Sequence, residues 1–110
     1  MIEALWSVEF KSSFGLGGHG IAVFETGRVF GGDSAMIYTG SYNIEGGVIQ
    51  AKIDVKRYAH NSMVSVVGLE KFTLQVTGKV DTKSMSFEGF VVEDPSRKLA
   101  IHAIRQAELP

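Results

Sequence analysis

The feature that most constrains this sequence is an alternation of apolar and polar residues with a period of two. Successive side chains of a pleated strand point to opposite faces, so this period predicts strands with one buried and one solvated face. The alternation is clearest in residues 6–11, 49–56 and 71–80. Weaker alternation predicts further strands at residues 20–25, 28–31, 36–42, 84–92 and 99–107. Because no long stretch has helical spacing, the chain is predicted to be all-β.

Turn-forming runs between these segments indicate antiparallel neighbours, since tight hairpins join only antiparallel strands. The runs are Thr26-Gly27, Glu45-Gly46-Gly47, Asp81-Thr82-Lys83 and Asp94-Pro95-Ser96-Arg97. The longest connection, residues 58–69, is predicted to hold one helical turn or to form a loop across a barrel mouth. Glycines inside strand patterns, namely Gly40, Gly78 and Gly89, permit the sharp bends of a closed sheet.

These observations together predict one domain, residues 1–110, built as an antiparallel up-and-down meander of about eight strands. Closure into a lipocalin-like barrel is favoured because it removes the exposed edges of a long meander. An open sheet and a flattened sandwich are the alternatives.

Composition limits the classes of function. The net charge is −1, and the 11 lysines and arginines are scattered, so direct nucleic-acid binding is disfavoured. Hydrophobic residues make up 45 % of the chain without forming a membrane span. The chain has no cysteine and its first strand begins close to Met1, which leaves no room for a signal peptide. We therefore expect a cytoplasmic protein that does not bind membranes.

No catalytic motif is evident. His19, His60 and His102 lie far apart and have no acidic partner at helical spacing, so no metal site is predicted. We expect them in a glycine-rich loop, in the long connection and on a strand face, respectively. The run of residues 15–20 resembles a phosphate loop but opens no helix, and it is predicted to be a flexible turn. An enzyme would need a cleft that joins His60 or His102 to a carboxylate, so we expect no enzymatic activity and no cofactor.

The most distinctive segment is residues 31–42. Gly31 and Gly32 allow a tight turn with positive φ, and Asp33 can cap the amides that follow. Two tyrosines share one strand face with Gly40, and core packing is favoured over ligand contact for both. If the barrel holds a small apolar ligand, its predicted lining is aromatic: Trp6, Phe10, Tyr38, Tyr42, Phe72 and Phe87. The same side chains could instead fill a small barrel.

An apolar outer patch is predicted on the last two strands. Its members are Phe90, Val92, Ala100 and Ile104. Exposed apolar patches mark association surfaces, and a symmetric dimer is the commonest arrangement, so this patch is the predicted homodimer interface. The alternative is that the connection of residues 58–69 covers it.

Several segments resemble the GrlR family of small bacterial regulators, which act as negative regulators of type III secretion. They are the run GGDSAMIYTGSY and the strands LWSVEF, VIQAKIDVKRY, FTLQVTGKV and SMSFEGFV, within residues 5–109. The resemblance implies a lipocalin-like barrel that forms a homodimer and regulates transcription by capturing a DNA-binding activator. The family's best-known member presents an acidic loop to its partner, whereas the corresponding hairpin here, Asn43-Ile44-Glu45-Gly46-Gly47, has Glu45 as its only acidic residue.

Two functions follow as hypotheses. The first is a non-enzymatic regulatory protein that works through protein contacts, with Asn43, Ile44 and Glu45 as the partner loop. The second is a carrier of a small, lipid-like apolar ligand in the barrel interior.

Overall fold

The computed structural model describes residues 1–59 and 65–110. Within these ranges the chain forms eight strands: β1 (Ala4–Ser12), β2 (Gly17–Glu25), β3 (Arg28–Gly32), β4 (Met36–Glu45), β5 (Val48–Arg57), β6 (Lys71–Lys79), β7 (Ser84–Val91) and β8 (Asp94–Ala107). Each strand pairs antiparallel with the next, and β8 pairs with β1 to close the barrel. The predicted all-β, up-and-down barrel is therefore confirmed. No helix within the described ranges has the length and apolar character needed to cross a membrane.

The alternation of the sequence appears directly as the two faces of the barrel wall. On β1, the side chain of Trp6 is fully buried, while Glu9 is exposed. On β7, Met85 and Phe87 are buried, whereas Phe90 faces outward. Fully burying an apolar side chain of this size stabilises the fold by about 1.5–3 kcal/mol, so a register slip of one residue on any strand would be costly.

The two ends of the barrel differ. In a meander, successive connections alternate between ends, so the β1–β2, β3–β4, β5–β6 and β7–β8 connections lie at one end, which we call the mouth. The other end, the closed end, is filled by Trp6 and its neighbours. Its indole Nε1 donates a hydrogen bond to the backbone oxygen of Ile2 at 2.8 Å, and its ring packs edge-on against Phe24 with centroids 6.1 Å apart.

Glycines mark the positions where neighbouring strands approach too closely for a side chain. A Cβ on Gly40 would lie 2.1 Å from the backbone oxygen of Lys52, far inside van der Waals contact. A Cβ on Gly78 or Gly89 would also fall under 3 Å from a neighbouring strand's backbone oxygen. These three glycines therefore let neighbouring strands approach closely, as a tightly coiled, closed sheet requires.

Of the two predicted glycine turns, the first is right for Gly15, which has a φ of +82° in the β1–β2 connection, and wrong for the residues that follow it. Residues 17–20 are not a flexible turn but the start of β2, because they pair in register with β1 from Gly17 opposite Lys11 to Gly20 opposite Val8. Gly31 and Gly32 lie in β3 and do not adopt positive φ. Gly31 serves close packing instead, since a Cβ there would lie 1.9 Å from the backbone oxygen of Ile21.

One hairpin is displaced from its predicted position. Residues 94–97 lie within β8, and the tight turn occurs at residues 92–93. A register shift between Phe90 and Val91 accounts for the extra residues, with Val91 opposite Asp94 and Phe90 opposite Lys98. Pro95 has no amide to donate, and such an irregularity is where a strand tolerates proline. The turns at Thr26-Gly27 and Gly46-Gly47, in contrast, are confirmed by positive φ at all four residues.

The described part of the β5–β6 connection, residues 65–69, is a hydrogen-bonded turn at the mouth. Ser65 Oγ accepts a hydrogen bond from the Leu69 amide at 2.9 Å and donates one to the Leu69 oxygen at 2.5 Å. Val67 in this turn is fully buried. Residues 65–69 therefore form a loop across the mouth, one of the two alternatives predicted for this connection, and Phe90 on the outer face is 39 % exposed. His60 lies outside the described residues.

Candidate functional site

The barrel contains a cavity of about 390 Å³ that opens at the mouth. Its walls are mainly aliphatic and aromatic side chains from the inward faces of the strands. Representative wall residues are Ala22, Ala51, Ile53, Val55, Phe72 and Leu74. The turn at residues 65–69 contributes Ser65 and Val66 to the rim, so the cavity is partly covered from above.

The mouth half of β2, which forms part of the cavity wall, carries very small inward residues. Gly18 and Gly20 alternate with outward residues and precede the inward Ala22, and they pair with Phe10 and Val8 of β1. A Cβ on Gly18 would lie 2.8 Å from Phe10 Cε2, and one on Gly20 would lie 2.7 Å from the hydroxyl of Tyr38. The missing side chains therefore give two aromatic rings room to lie against β2. The glycine-rich run, interpreted from sequence as a turn, shapes the cavity wall.

Asp33 and Tyr38 form a polar corner at the mouth of this cavity. Asp33 Oδ1 accepts hydrogen bonds from the amides of Ala35 and Met36, each at 2.8 Å, which confirms the predicted capping role. Asp33 Oδ2 accepts the hydroxyl proton of Tyr38. The hydroxyl of Tyr58 donates to the backbone oxygen of Asp33 at 2.6 Å. The β3–β4 turn thus holds a carboxylate in a fixed position at the edge of an apolar space.

The protonation state of the Tyr38 hydroxyl is fixed by its surroundings. Burial raises the pKa of Tyr38 well above its ordinary value, and the hydrogen bond to Asp33 raises it further. The side chain remains neutral at physiological pH and keeps its one proton directed at the carboxylate. Its ring packs edge-on against Phe10 with centroids 6.5 Å apart, which orients the hydroxyl.

Charge is sparse around the cavity. Among the described lining residues, Asp33 is the only carboxylate and His19 the only imidazole, and no lysine or arginine is present. His19 is largely exposed at the rim, with Nε2 3.5 Å from Glu9 Oε2. It lies on β2 and not in a loop, which corrects the sequence interpretation.

Four of the six predicted lining residues line the cavity: Phe10, Tyr38, Phe72 and Phe87. The prediction is wrong for Trp6 and Tyr42, which face inward but lie nearer the closed end. There the rings pack around Phe24, whose centroid is 5.3 Å from that of Tyr42, and fill the space. Phe24 itself lines the floor of the cavity and was missed, as was Asp33.

The four residues of the predicted dimer interface do not form one patch. Phe90 pairs with Lys98, whereas Ile104 pairs with Ser84 at the other end of the β7–β8 ladder. Ile104 is six positions beyond Lys98 along β8, which corresponds to about 20 Å. The two remaining members are also exposed: Val92 lies in the β7–β8 turn and Ala100 lies opposite Glu88.

The outward apolar residues gather instead on the β8–β1–β2–β3–β4 side of the barrel. Ile104 and Ile21 flank Ser7 in adjacent strands, and Val23 lies opposite both Leu5 and Phe30. We call this the outer apolar face, comprising Leu5, Ile21, Val23, Phe30, Ile37 and Ile104. Ile21 and Ile104 are 44 % and 45 % exposed, Phe30 is also exposed, and the other three members are half-buried.

The remaining predicted site residues lie far from the cavity or on its outside. Asn43, Ile44 and Glu45 are exposed at the end of β4, which is at the closed end. His102 is exposed on β8, as expected, with Nδ1 3.1 Å from Ser86 Oγ. In the part of the chain that the structure describes, no group of three acidic, histidine or cysteine side chains could hold a metal ion.

Comparison of the sequence with protein-family models and with curated proteins finds no match. Among solved structures, the chain is similar to a redesigned β-barrel, with a TM-score of 0.53 and 14 % sequence identity. The alignment covers 96 % of this chain and 91 % of that chain. The shared feature is the barrel. At this identity the likeness shows the fold alone and carries no function.

Proposed function

We propose that this protein binds a small, largely apolar molecule inside the barrel. The observation that carries the proposal is the cavity of about 390 Å³, open at one end and walled by apolar side chains. Its volume falls within the range of roughly 300–1,000 Å³ that is usual for small-molecule sites. The polar corner at the mouth matches the general pattern of such sites, in which a few polar groups fix the orientation of the ligand.

The affinity would come from removing apolar ligand surface from water. The walls contribute about 25 cal/mol per Å² of apolar surface that they cover, and the strands that carry them are already fixed by the closed ladder. Because the site is preformed, little of this free energy is lost to ordering the protein.

A fluorescence titration with the neutral apolar probe N-phenylnaphthylamine tests this function. Wild-type protein should bind the probe saturably, with one site per chain. Ala51→Phe places a ring inside the cavity from an inward position of β5 and should weaken binding about tenfold or more, which is 1.4 kcal/mol or more.

The matched control is Ala100→Phe, because Ala100 is exposed on the outer face of β8. Its affinity for the probe should equal that of the wild type. Equal weakening by both variants, or no saturable binding by the wild type, would contradict binding in the cavity.

We propose a protein-contact role as the second candidate, favoured by the outer apolar face. The contact is with a second copy of the chain, and the resemblance to the GrlR family would make a captured transcription activator the regulatory target. Exposed apolar faces of this kind mark association surfaces, and a symmetric dimer is the commonest way of covering one.

Two phenylalanines with the same exposure test where this contact lies. Phe30, on the outer apolar face, and Phe90, in the patch predicted from sequence, are each 39 % exposed. If two copies pair through the outer apolar face, Phe30→Glu should give monomers by light scattering and Phe90→Glu should leave a dimer. The reverse pattern would support the patch on β7 and β8, and a monomeric wild type would remove self-association altogether.

A further inference from the structure

We infer that the polar end of the ligand donates hydrogen bonds and carries no negative charge, so that an alkylamine or alcohol fits and a fatty acid does not. The inference rests on the proposed binding function and adds the chemical class of the ligand. It depends on what the polar corner offers a molecule in the cavity.

The two side chains that define the polar corner, Asp33 and Tyr38, present hydrogen-bond acceptors to the cavity. Asp33 Oδ2 already receives the proton of Tyr38, and a carboxylate has no proton to give. The Tyr38 hydroxyl directs its only proton at that carboxylate, so toward a ligand it offers an oxygen lone pair. The nearby Ser65 hydroxyl donates to the Leu69 oxygen at 2.5 Å. An amine or hydroxyl group is complementary to such a corner.

Among the described residues that line the cavity, there is no lysine or arginine to receive an anionic group. The two arginines of the mouth region have other partners and do not line the described walls. Arg97 donates to Asp94 Oδ2 at 2.9 Å and to the Val67 oxygen at 2.5 Å. Arg57 Nε lies 3.4 Å from Glu70 Oε1. His19 at the rim faces the carboxylate of Glu9.

A fatty-acid carboxylate in this cavity would therefore place its charge beside the carboxylate of Asp33 in a partly desolvated space. Like charges at short range repel strongly where water is scarce, and a buried charge without a partner is costly. The same chain with an ammonium or hydroxyl end would bring a donor to an acceptor. The head group, and not the apolar tail, sets the selectivity.

Three ligands with the same tail isolate this effect: decylamine, decanol and decanoate. Each is titrated into wild-type protein that carries bound N-phenylnaphthylamine, and displacement gives its Kd. Decylamine and decanol should each bind about tenfold or more tightly than decanoate. Decanoate binding as tightly as decanol would overturn the inference while leaving the cavity function intact. Failure of the probe itself to bind would instead remove the proposed function.

Asp33→Asn tests the residue responsible. The asparagine carbonyl oxygen can still accept the amides of Ala35 and Met36, so the turn should persist, and thermal unfolding checks this. The preference against decanoate should shrink to about threefold or less. Asp54→Asn is the control, because Asp54 is exposed on β5, and it should keep the full preference.

Tyr38→Phe provides an independent variant. It removes an acceptor oxygen, so it should weaken decylamine and decanol about threefold or more and leave the Kd of decanoate unchanged. An unchanged head-group preference in both folded variants would overturn the role of the polar corner.

Discussion

Replacing Gly40 with alanine should lower the free energy of unfolding by about 3 kcal/mol, a large share of the stability of a small domain. The added Cβ would lie 2.1 Å from the backbone oxygen of Lys52. A backbone oxygen cannot rotate away as a side chain can, so β4 and β5 must separate along a ladder that runs from Met36 to Glu45. Urea unfolding followed by circular dichroism measures the loss.

Gly46→Ala is the matched control for this substitution. Gly46 has a φ of +60° in the β4–β5 turn, and a Cβ there would meet nothing within 4 Å. Its cost should be limited to backbone strain of about 1 kcal/mol. If both variants lost the same free energy, the close approach of β4 and β5 at Gly40 would not be a determinant of closure.

Replacing Trp6 with alanine should cost about 4 kcal/mol, the range expected for a large aromatic side chain in a core. Trp6 is fully buried at the closed end, where its removal would leave a void between Ile2 and Phe24. Circular dichroism is the suitable signal for the unfolding curves, because Trp6 is the only tryptophan of the chain.

Trp6→Phe separates packing from hydrogen bonding at the same position. It keeps an aromatic ring but removes the Nε1 donor, which leaves the Ile2 oxygen without that partner and should cost about 2 kcal/mol. If Trp6→Ala were no worse than Trp6→Phe, the closed end would not be as tightly packed as the structure indicates.

Much of the barrel could be predicted from the sequence because strand faces have a local signal. On β5, inward Ile49, Ala51, Ile53 and Val55 alternate with polar residues, and the period of two places them without knowledge of any other strand. The hairpin turns at Thr26-Gly27 and Gly46-Gly47 have an equally local cause, since φ is positive at each position.

The depth of a residue within the barrel could not be predicted in this way. The alternation predicts that Trp6 and Phe10 face the same side of the sheet. It does not predict that Trp6 packs at the closed end while Phe10 lines the cavity. Depth depends on register between distant strands, such as Trp6 opposite Arg105. The prediction therefore placed Trp6 and Tyr42 on the correct, inward face of the barrel wall but at the wrong distance from the mouth.

Glycine was the residue type whose structural role was hardest to predict from the sequence. It occurs in turns, in bends and at positions where a neighbouring side chain needs room. The local sequence around Gly18 and Gly20 predicts a turn, but in the barrel these glycines make room for the rings of Phe10 and Tyr38. The observation that would have shown this role is the pairing of Gly18 with Phe10. That pairing is known only once β1 and β2 are aligned. The prediction of one dimer patch was wrong for a related reason. Phe90 and Ile104 both face outward, but they lie at opposite ends of the β7–β8 ladder.

The two proposed activities occupy separate surfaces of the barrel. The cavity opens at the mouth, whereas the exposed residues Ile44 and Glu45 lie at the closed end and Phe30 lies on the outer wall. Variants at Ala51 and at Phe30 should therefore act independently, because sites that share no contacts have additive effects.

Backbone NMR during a titration with decanol tests the central claim most directly, that the interior of this barrel is a ligand site. The structure predicts saturable shifts of the amides of Ala51 and Leu74, which line the cavity, with Ala100 and Ser86 on the outer wall unchanged. Shifts confined to the outer wall, or none at saturating decanol, would contradict it.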